Sequence, residues 1–347
     1  MQSWHDTYIT PMSRSFRVHF TPAFDHVEGE STKYAFFNKP YGTLHFLENE
    51  IGIGEDGKIK KPDTVFVLID PDEFFLRPFT NSFPSSSPSL IRTRDSKVPI
   101  PPLVTTGSPF AQTYGLGGSW TNYDLDAITG DPNSMAKRWS ASDATNKFAA
   151  GPPYIATGTD MLSIARKWSE FVRPTHKYKP GLLAEMYAWC IAAAHLNLPH
   201  TLLDNFMVSN ADSSAEGWKL VDAIPAPSCL EEDGWEELPW FLHFCQFVRV
   251  GEFAIHKRKI PRDIFTCESP MLMDPPPDLG ENYPYKTQGD ISKKERPNLE
   301  LNPKMAKRYA FQICSFTRVV NAAAEYFKKQ HCGPDANYER TWKQSLH

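Results

Sequence analysis

A chain of 347 residues with a formal charge of −4 is long enough to bury a sizeable core, and it lacks the basic field that would attract nucleic acid. Hydrophobic residues make up 41% and charged residues 22%, as in ordinary globular proteins. The 30 prolines and 13% aromatic residues are high values, and they indicate irregular but ordered chain with aromatic-lined surfaces. No apolar run approaches the roughly 20 residues of a membrane helix, and no signal-peptide pattern follows Met1.

The first predicted helix lies in the stretch FFNKPYGTLHFLEN. Pro40 suits a first helical turn, and Leu44 and Leu47 then fall on one face. Asn38 and Lys39 stand just before this helix start, where backbone N–H groups and a cation favour an anion. The pair therefore belongs either to an anion site or to an ordinary capped surface helix.

The apolar run VFVLI, residues 65–69, leads directly into Asp70 and Asp72. Such a run predicts a strand buried on both faces, as in a parallel sheet whose carboxyl edge binds ligands. Residues two apart in an extended chain share a face, so both carboxylates point to one side and suit Mg²⁺ or Mn²⁺ bridging to a diphosphate. A simple turn is the alternative, because Asp and Pro are common turn formers. The buried strand before the pair favours the metal.

The middle of the chain alternates loops and helices. Residues 80–109 are rich in Ser and Pro, which predicts an exposed, mobile loop. The segment GPPYIATGTD is predicted to be a loop with a short strand that becomes a helix at Thr159 or Asp160, whose side chain caps the free amides.

Glu185 is the one acidic residue in the next predicted helix, GLLAEMYAWCIAAAHL, which is apolar almost all the way round and hence buried. A buried carboxylate is costly unless it is paired, and burial raises its pKa, as at many catalytic sites. A structural glutamate bound to backbone amides or to an arginine explains the residue equally well.

The second half of the chain carries one further candidate and the cysteines. PWFLHFCQF predicts a buried strand with His243, which is a core histidine unless a metal lies nearby in space. Residues 303–331 predict an amphipathic helix that packs on the core as a C-terminal brace. Its apolar stripe is formed by Tyr309, Ile313, Phe316, Val320 and Phe327. The six cysteines form no CxxC pair, which argues against zinc, and both disulfides and free buried thiols remain open.

These segments, taken in order, resemble the plant and algal peptidyl glycosyltransferases, a group that includes hydroxyproline O-arabinosyltransferases and peptidyl-serine α-galactosyltransferases. The resemblance runs from about Phe36 to Leu279, and the C-terminal KRYAFQIC helix is similar too. It is carried by NKPYGTLHFL, VFVLIDPDEFFLRPF, GPPYIAT, LLAEMYAWCIAAAHLNLPH, FLHFCQF and SPMLMDPPPDL. The combination of the EMYA helix with the DPD strand is the specific part.

The resemblance implies an α/β, GT-A-like (Rossmann-like) fold with a mixed sheet covered by helices. It implies a transferase domain over residues 1–279, followed by a linker and the bracing helix over 280–347. The implied enzyme is a metal-dependent retaining glycosyltransferase. It moves galactose or arabinofuranose from a UDP-sugar to Ser or hydroxyproline hydroxyls of extensin-like cell-wall proteins.

The resemblance also assigns roles to the candidate metal residues. Asp70 and Asp72 correspond to the family's DxD motif and hold Mn²⁺ (or Mg²⁺) against the UDP diphosphate. His243 falls where such enzymes take a third metal or diphosphate contact. Asp72 is thereby counted among the catalytic residues.

Donor and acceptor contacts follow from the same resemblance. Asn38 and Lys39 match the family's NKP and lie near the nucleotide sugar. Gly151 and Pro152 open the GPPY loop expected to shape the donor pocket. Glu185 faces the sugar or the acceptor hydroxyl as a catalytic carboxylate.

The N-terminal part of the chain departs from the family pattern. A GT-A domain opens with a βαβ unit for uracil and ribose, and the residues before Asp70 do not read as that unit. We therefore expect an incomplete opening unit and a membrane anchor absent from this chain, with the full-length protein in the Golgi or ER lumen. The rival hypothesis is a decayed or truncated, non-catalytic transferase that binds proline-rich peptides.

Overall fold

The structure is a computed structural model of a mixed α/β protein. It describes residues 16–26, 33–84, 99–214, 216–224, 237–245, 247–251, 253–261, 263–281 and 302–343, together with Asp6, Cys229 and the short pieces 286–287 and 299–300. None of the helices in these ranges has the length and apolar character needed to cross a bilayer.

The helices and strands follow one another closely along the chain. The helices are α1 (Asn38–Phe46), α2 (Leu125–Thr129), α3 (Ala141–Lys147), α4 (Gly158–Tyr178), α5 (Ala184–His195), α6 (Trp218–Ala223) and α7 (Pro303–His331). The strands are β1 (Val65–Leu68), β2 (Glu73–Phe75), β3 (Phe110–Thr113), β4 (Ala150–Thr157), β5 (Thr201–Leu203), β6 (Met207–Val208), β7 (Phe241–His243), β8 (Val248–Val250), β9 (Phe253–Ile255), β10 (Lys286–Thr287) and β11 (Leu299–Glu300).

The chain forms two compact units that interleave in sequence. The first unit comprises His19–Asp70 and Phe79–Phe206. The second unit comprises Met1–Val18, Pro71–Pro78 and Met207–His347. Helix α7 belongs to the second unit.

The sheet of the first unit has the strand order β1-β4-β3-β5. Strand β4 pairs antiparallel with β1 and β3, whereas β3 and β5 are parallel. The predicted strand at 65–69 is confirmed, but its expected burial on both faces in a parallel sheet is wrong. Strand β1 ends this sheet and is half-buried, and only its alternate residues Phe66 and Leu68 pack on the core. An unbroken apolar run does not report the direction of the neighbouring strand.

The GPPY segment is part of β4, all eight residues of which are buried, so the predicted loop is wrong. Residues 152–153 are skipped in the β3–β4 pairing, because proline has no N–H to donate to the ladder. A Cβ on Gly151 would lie 2.1 Å from the ring of Tyr114, so the side-chain-free residue is required by packing. Gly151 and Pro152 therefore lie inside the sheet.

Helices α4 and α5 cover the core of this unit. Helix α4 begins at Gly158, and its cap is Thr157, which accepts from the Asp160 amide, rather than the predicted Thr159 or Asp160. The rings of Tyr154 and Trp189 stack with centroids 3.9 Å apart. The predicted buried helix is confirmed as α5, because its apolar surface contacts α4 and β4.

The loop predicted at 80–109 lies partly outside the described residues, since 85–98 are not described. In the described part, Phe83 is fully buried and stacks on Phe110 with ring centroids 5.0 Å apart. This stretch is therefore not exposed throughout, because one aromatic residue anchors it to β3.

His200 should make the protein sensitive to acid. It is buried, Trp189 Nε1 donates to its Nε2 over 3.3 Å, and burial lowers its pKa from 6.5 to about 3. A depressed histidine pKa means that the unfolded chain binds the proton more tightly, so stability is fully present above pH 6.5 and falls as the pH drops. Between pH 7 and pH 4 the wild type should lose about 3 kcal/mol of unfolding free energy through His200. We expect His200→Gln, which keeps a hydrogen-bond acceptor, not to show this loss.

Urea unfolding of both proteins at a series of pH values between 7 and 4 measures this effect. Parallel stability curves for the wild type and His200→Gln over that range would contradict it.

The second unit contains the three-stranded sheet β2-β7-β6 and the hairpin β8–β9. The predicted C-terminal helix is confirmed with the same bounds as α7. Of its predicted stripe, Ile313, Phe316 and Phe327 are buried, and the other two residues pack against the core as partly buried side chains. The Arg308 guanidinium of α7 donates two hydrogen bonds, of 2.8 and 2.7 Å, to the Asp222 carboxylate.

Four of the cysteines form disulfides and two are free thiols, so both of the alternatives that the sequence left open occur. Cys229 pairs with Cys314, and Cys267 pairs with Cys332. Cys190 and Cys245 are free thiols. Cys314 lies in α7 and Cys332 directly follows it, so the two disulfides link the helix and its C-terminal end to earlier parts of the same unit.

Candidate metal centre

The pairing of β2 with β7 brings His243 to the acidic pair. Glu73 and His243 are directly opposite in the antiparallel register, and the Phe244 amide donates to the Asp72 carbonyl oxygen over 2.8 Å. His243 Nε2 lies 3.3 Å from Asp72 Oδ1, and its Nδ1 lies 3.7 Å from Glu73 Oε1. Two segments far apart in sequence thus place an imidazole against a carboxylate.

Asp72 and His243 both belong to the second unit, and Asp70, the last residue of its segment of the first unit, precedes Asp72 with only Pro71 between them. These are the three residues predicted from the sequence to bind metal. That they bind an ion stays a prediction.

The geometry and chemistry of these residues fit a divalent ion. Neighbouring ligands of an octahedral ion, each about 2.1 Å from it, are about 3 Å apart, close to the separation of Asp72 Oδ1 and His243 Nε2. Two carboxylates and an imidazole form a donor set that suits Mn²⁺, and carboxylates alone suit Mg²⁺. Glu73 faces the other nitrogen of His243, as the partners that orient metal-bound histidines do.

Asp72 is held in its charged form. Burial raises the pKa of its carboxyl group, but hydrogen bonds to His243 and Lys257 outweigh that effect and hold the pKa well below its usual value. The Lys257 ammonium directly contacts Asp72 Oδ2. Sequence reasoning missed Lys257, whose only signal is its place in the basic stretch HKRK.

Lys39 joins Asp70 to Glu185. Its Nζ lies 2.7 Å from Asp70 Oδ1 and 2.8 Å from Glu185 Oε1. Burial lowers the pKa of Lys39, but the two carboxylates raise it by more than burial lowers it, so the pKa lies above its usual range. The ammonium expected to favour an anionic ligand is thus paired with two protein carboxylates.

Asn38 and Lys39 are the first two residues of α1 and do not precede it. The 3-10 turn Ala35–Phe37 runs directly into α1 and satisfies amides that would otherwise be free, which is why the predicted helix start is wrong. The Asn38 side chain accepts from the Phe24 amide over 2.7 Å and donates to the Ala35 carbonyl over 2.9 Å. It ties the segment before α1 to the helix.

Glu185 is a fixed, buried carboxylate with one oxygen that lacks a hydrogen-bond partner in the described part of the chain. It is 2% exposed, and its Oε1 accepts from Lys39. Its amide donates to the Tyr34 hydroxyl over 3.2 Å, and the Trp168 indole donates to its carbonyl oxygen over 2.6 Å. Within the described part of the chain, Oε2 has no hydrogen-bond partner. Burial raises the pKa of Glu185 against the opposing effect of Lys39.

The candidate residues therefore fall into three groups. Asp72 and His243 lie together in the second unit, Lys39 pairs with both Asp70 and Glu185 in the first, and the GPPY residues lie inside β4. No protein-family model, no curated protein and no solved structure matches this chain. The family resemblance consequently rests on the sequence segments alone.

Proposed function

We propose that this chain is a metal-dependent, retaining glycosyltransferase with a GT-A-like fold. It moves galactose or arabinofuranose from a UDP-sugar to Ser or hydroxyproline hydroxyls of extensin-like cell-wall proteins. The observation that carries the proposal is the position of His243, whose Nε2 lies 3.3 Å from Asp72 Oδ1. It supports the proposal because the family resemblance assigns both residues to one metal.

Each residue has a physical role in this proposal. Asp70, Asp72 and His243 would hold Mn²⁺ or Mg²⁺, which supplies positive charge to offset that of the departing diphosphate. Lys39 fixes Glu185 Oε1, so Oε2 remains to accept a hydrogen bond from a hydroxyl group of the sugar or the acceptor. A carboxylate held in this way also stabilises positive charge that develops on the sugar.

The two disulfides support the proposed Golgi or ER location. Disulfides form and persist in oxidising compartments and are rare in the cytosol. The proposed acceptors, which are secreted cell-wall proteins, pass through the same compartments.

A non-catalytic binder of proline-rich peptides is the second candidate, and one observation favours it. Asp70 is paired with Lys39 and Asp72 with Lys257, so each carboxylate has a cationic partner without a metal. Ion pairs of this kind are also what a purely structural role requires. The two candidates differ in whether a nucleotide binds through the metal.

Calorimetric titration of UDP into the chelator-treated chain, with and without Mn²⁺, separates the two candidates. We expect UDP to bind only with Mn²⁺, and His243→Gln to weaken that binding at least about tenfold because one ligand is lost. Asp63→Asn, which alters an exposed carboxylate before β1, is the matched control and should bind as the wild type does. Equal UDP binding with and without Mn²⁺, or none in either condition, would refute the proposal.

A further inference from the structure

Lys257 is presented to Asp72 by the segment that follows the β8–β9 hairpin of the second unit. It begins a 3-10 turn two residues after β9, which pairs antiparallel with β8. Val248, Val250 and Ile255 of this hairpin are buried in the core of the unit. The backbone at Lys257 is therefore anchored, while its side chain reaches outward to the carboxylate.

The two oxygens of Asp72 face two different partners. Oδ1 lies toward His243, where the fit to a divalent ion is found, and Oδ2 contacts the Lys257 ammonium. An ion bound at Oδ1 and an ammonium at Oδ2 share one negative charge and repel each other at short range. Binding of an ion therefore weakens the contact between Lys257 and Asp72, and that contact weakens binding of the ion.

Lys257 is free to move in a way that Lys39 is not. The Lys257 side chain is 36% exposed and contacts one carboxylate, whereas that of Lys39 is 18% exposed and is held by two. A lysine has a flexible four-carbon stem, so its ammonium can leave Asp72 while the backbone stays in place. A diphosphate on an ion at Asp72 would be the nearest alternative partner for that ammonium, because lysine binds phosphate oxygens well as a point charge.

We propose that Lys257 is a tethered counterion of the candidate metal centre. It neutralises Asp72 when the centre holds no diphosphate, and it transfers to the diphosphate oxygens when the metal–diphosphate complex binds. The inference rests on the proposed function, because it requires a divalent ion at Asp72. It predicts that the bare ion binds weakly and that the ion and the diphosphate bind cooperatively.

Lys257→Met in the full chain tests this role through two affinities that should change in opposite directions. We expect Mn²⁺ alone, followed by the electron paramagnetic resonance signal of the free ion, to bind about tenfold more tightly than to the wild type, because the competing charge is gone. With Mn²⁺ saturating, we expect binding of pyrophosphate and of UDP to weaken about tenfold, because a charge-assisted contact is lost.

Two further variants serve as controls. Lys257→Arg keeps the charge and should resemble the wild type in both affinities. Lys259→Met removes an exposed charge two residues away and should change neither affinity. Thermal unfolding of every variant checks that the fold is retained, and Lys257→Gln replaces Lys257→Met if the latter does not fold.

The outcomes separate this inference from the proposed function. If His243→Gln weakens Mn²⁺ binding but Lys257→Met changes both affinities in the same direction or neither, the counterion role is overturned and the metal centre stands. If only UDP binding falls and pyrophosphate binding does not, Lys257 contacts the nucleoside and the diphosphate assignment is overturned. If neither the wild type nor any variant binds Mn²⁺, both proposals fall.

Discussion

Replacing Asp72 by asparagine should lower metal-dependent sugar transfer about 10³-fold, which corresponds to roughly 4 kcal/mol of transition-state stabilisation. Asparagine keeps the shape of the side chain but removes the charge that would hold the ion beside His243. Transfer of radiolabelled sugar from UDP-galactose or UDP-arabinofuranose to a Ser- and hydroxyproline-containing peptide, with Mn²⁺ present, measures the effect. The Asp72 side chain is 20% exposed, so the fold should tolerate the change.

Asp63→Asn provides the matched control for Asp72→Asn, since it removes an exposed carboxylate from the same part of the chain. It should leave the transfer rate unchanged. Full metal-dependent transfer by Asp72→Asn would show that the DxD assignment is wrong. Retained peptide binding by Asp72→Asn, with transfer lost, would confirm that the acceptor is bound independently of the metal.

Lys39→Met should destabilise the protein by about 3–5 kcal/mol, because it leaves a buried carboxylate without its ion-pair partner. Glu185 is 2% exposed, and Lys39 supplies the ion pair on its Oε1. Urea unfolding at pH 7 measures the change in the free energy of unfolding. Lys39→Met/Glu185→Gln should recover more than half of the loss, because it removes the more deeply buried of the two carboxylates that lose Lys39.

The pH dependence of Lys39→Met provides a second readout. Burial already raises the pKa of Glu185 above 4.5, and removal of Lys39 raises it further. A carboxyl group whose pKa is higher in the folded than in the unfolded chain stabilises the fold at pH values below its unfolded-state pKa. That stabilisation is lost as the pH rises through its folded-state pKa. The gap between Lys39→Met and the wild type should therefore be smaller at pH 4 than at pH 8.

Lys33→Met is the control for the loss of a lysine, because its exposed side chain pairs with Asp25 over 2.7 Å. Exposed ion pairs contribute little, so its unfolding curve should overlay that of the wild type. If the double variant is no more stable than Lys39→Met alone, Glu185 is not the source of the destabilisation.

The long helices were predictable because their signals are local. The 3.6-residue apolar period of α7 and the nearly continuous apolar surface of α5 are properties of consecutive residues. The strand β1 was predictable for the same reason. Its antiparallel neighbour β4 was not, because strand direction depends on a segment almost 90 residues further along the chain.

The GPPY segment illustrates a local signal that tertiary structure overrides. Glycine and consecutive prolines normally mark a loop. In β4 the β3 ladder skips both prolines, and the ring of Tyr114 packs where a side chain of Gly151 would be. A central strand tolerates proline only where the neighbouring strand forms no hydrogen bond to that residue, and the spacing of residues in the sequence does not predict where this is so.

The candidate site divides in the same way. The sequence by itself determined the acidic pair after β1, the lone carboxylate in α5 and the histidine in an apolar strand, because residue type and neighbours identify these features. Only the tertiary structure decided their partners: β2–β7 pairing sets His243 against Asp72, and the folded chain places Lys257 on Asp72 and Lys39 on Glu185. Salt bridges and metal ligands are contacts between distant segments, so their geometry is defined only once the chain has folded.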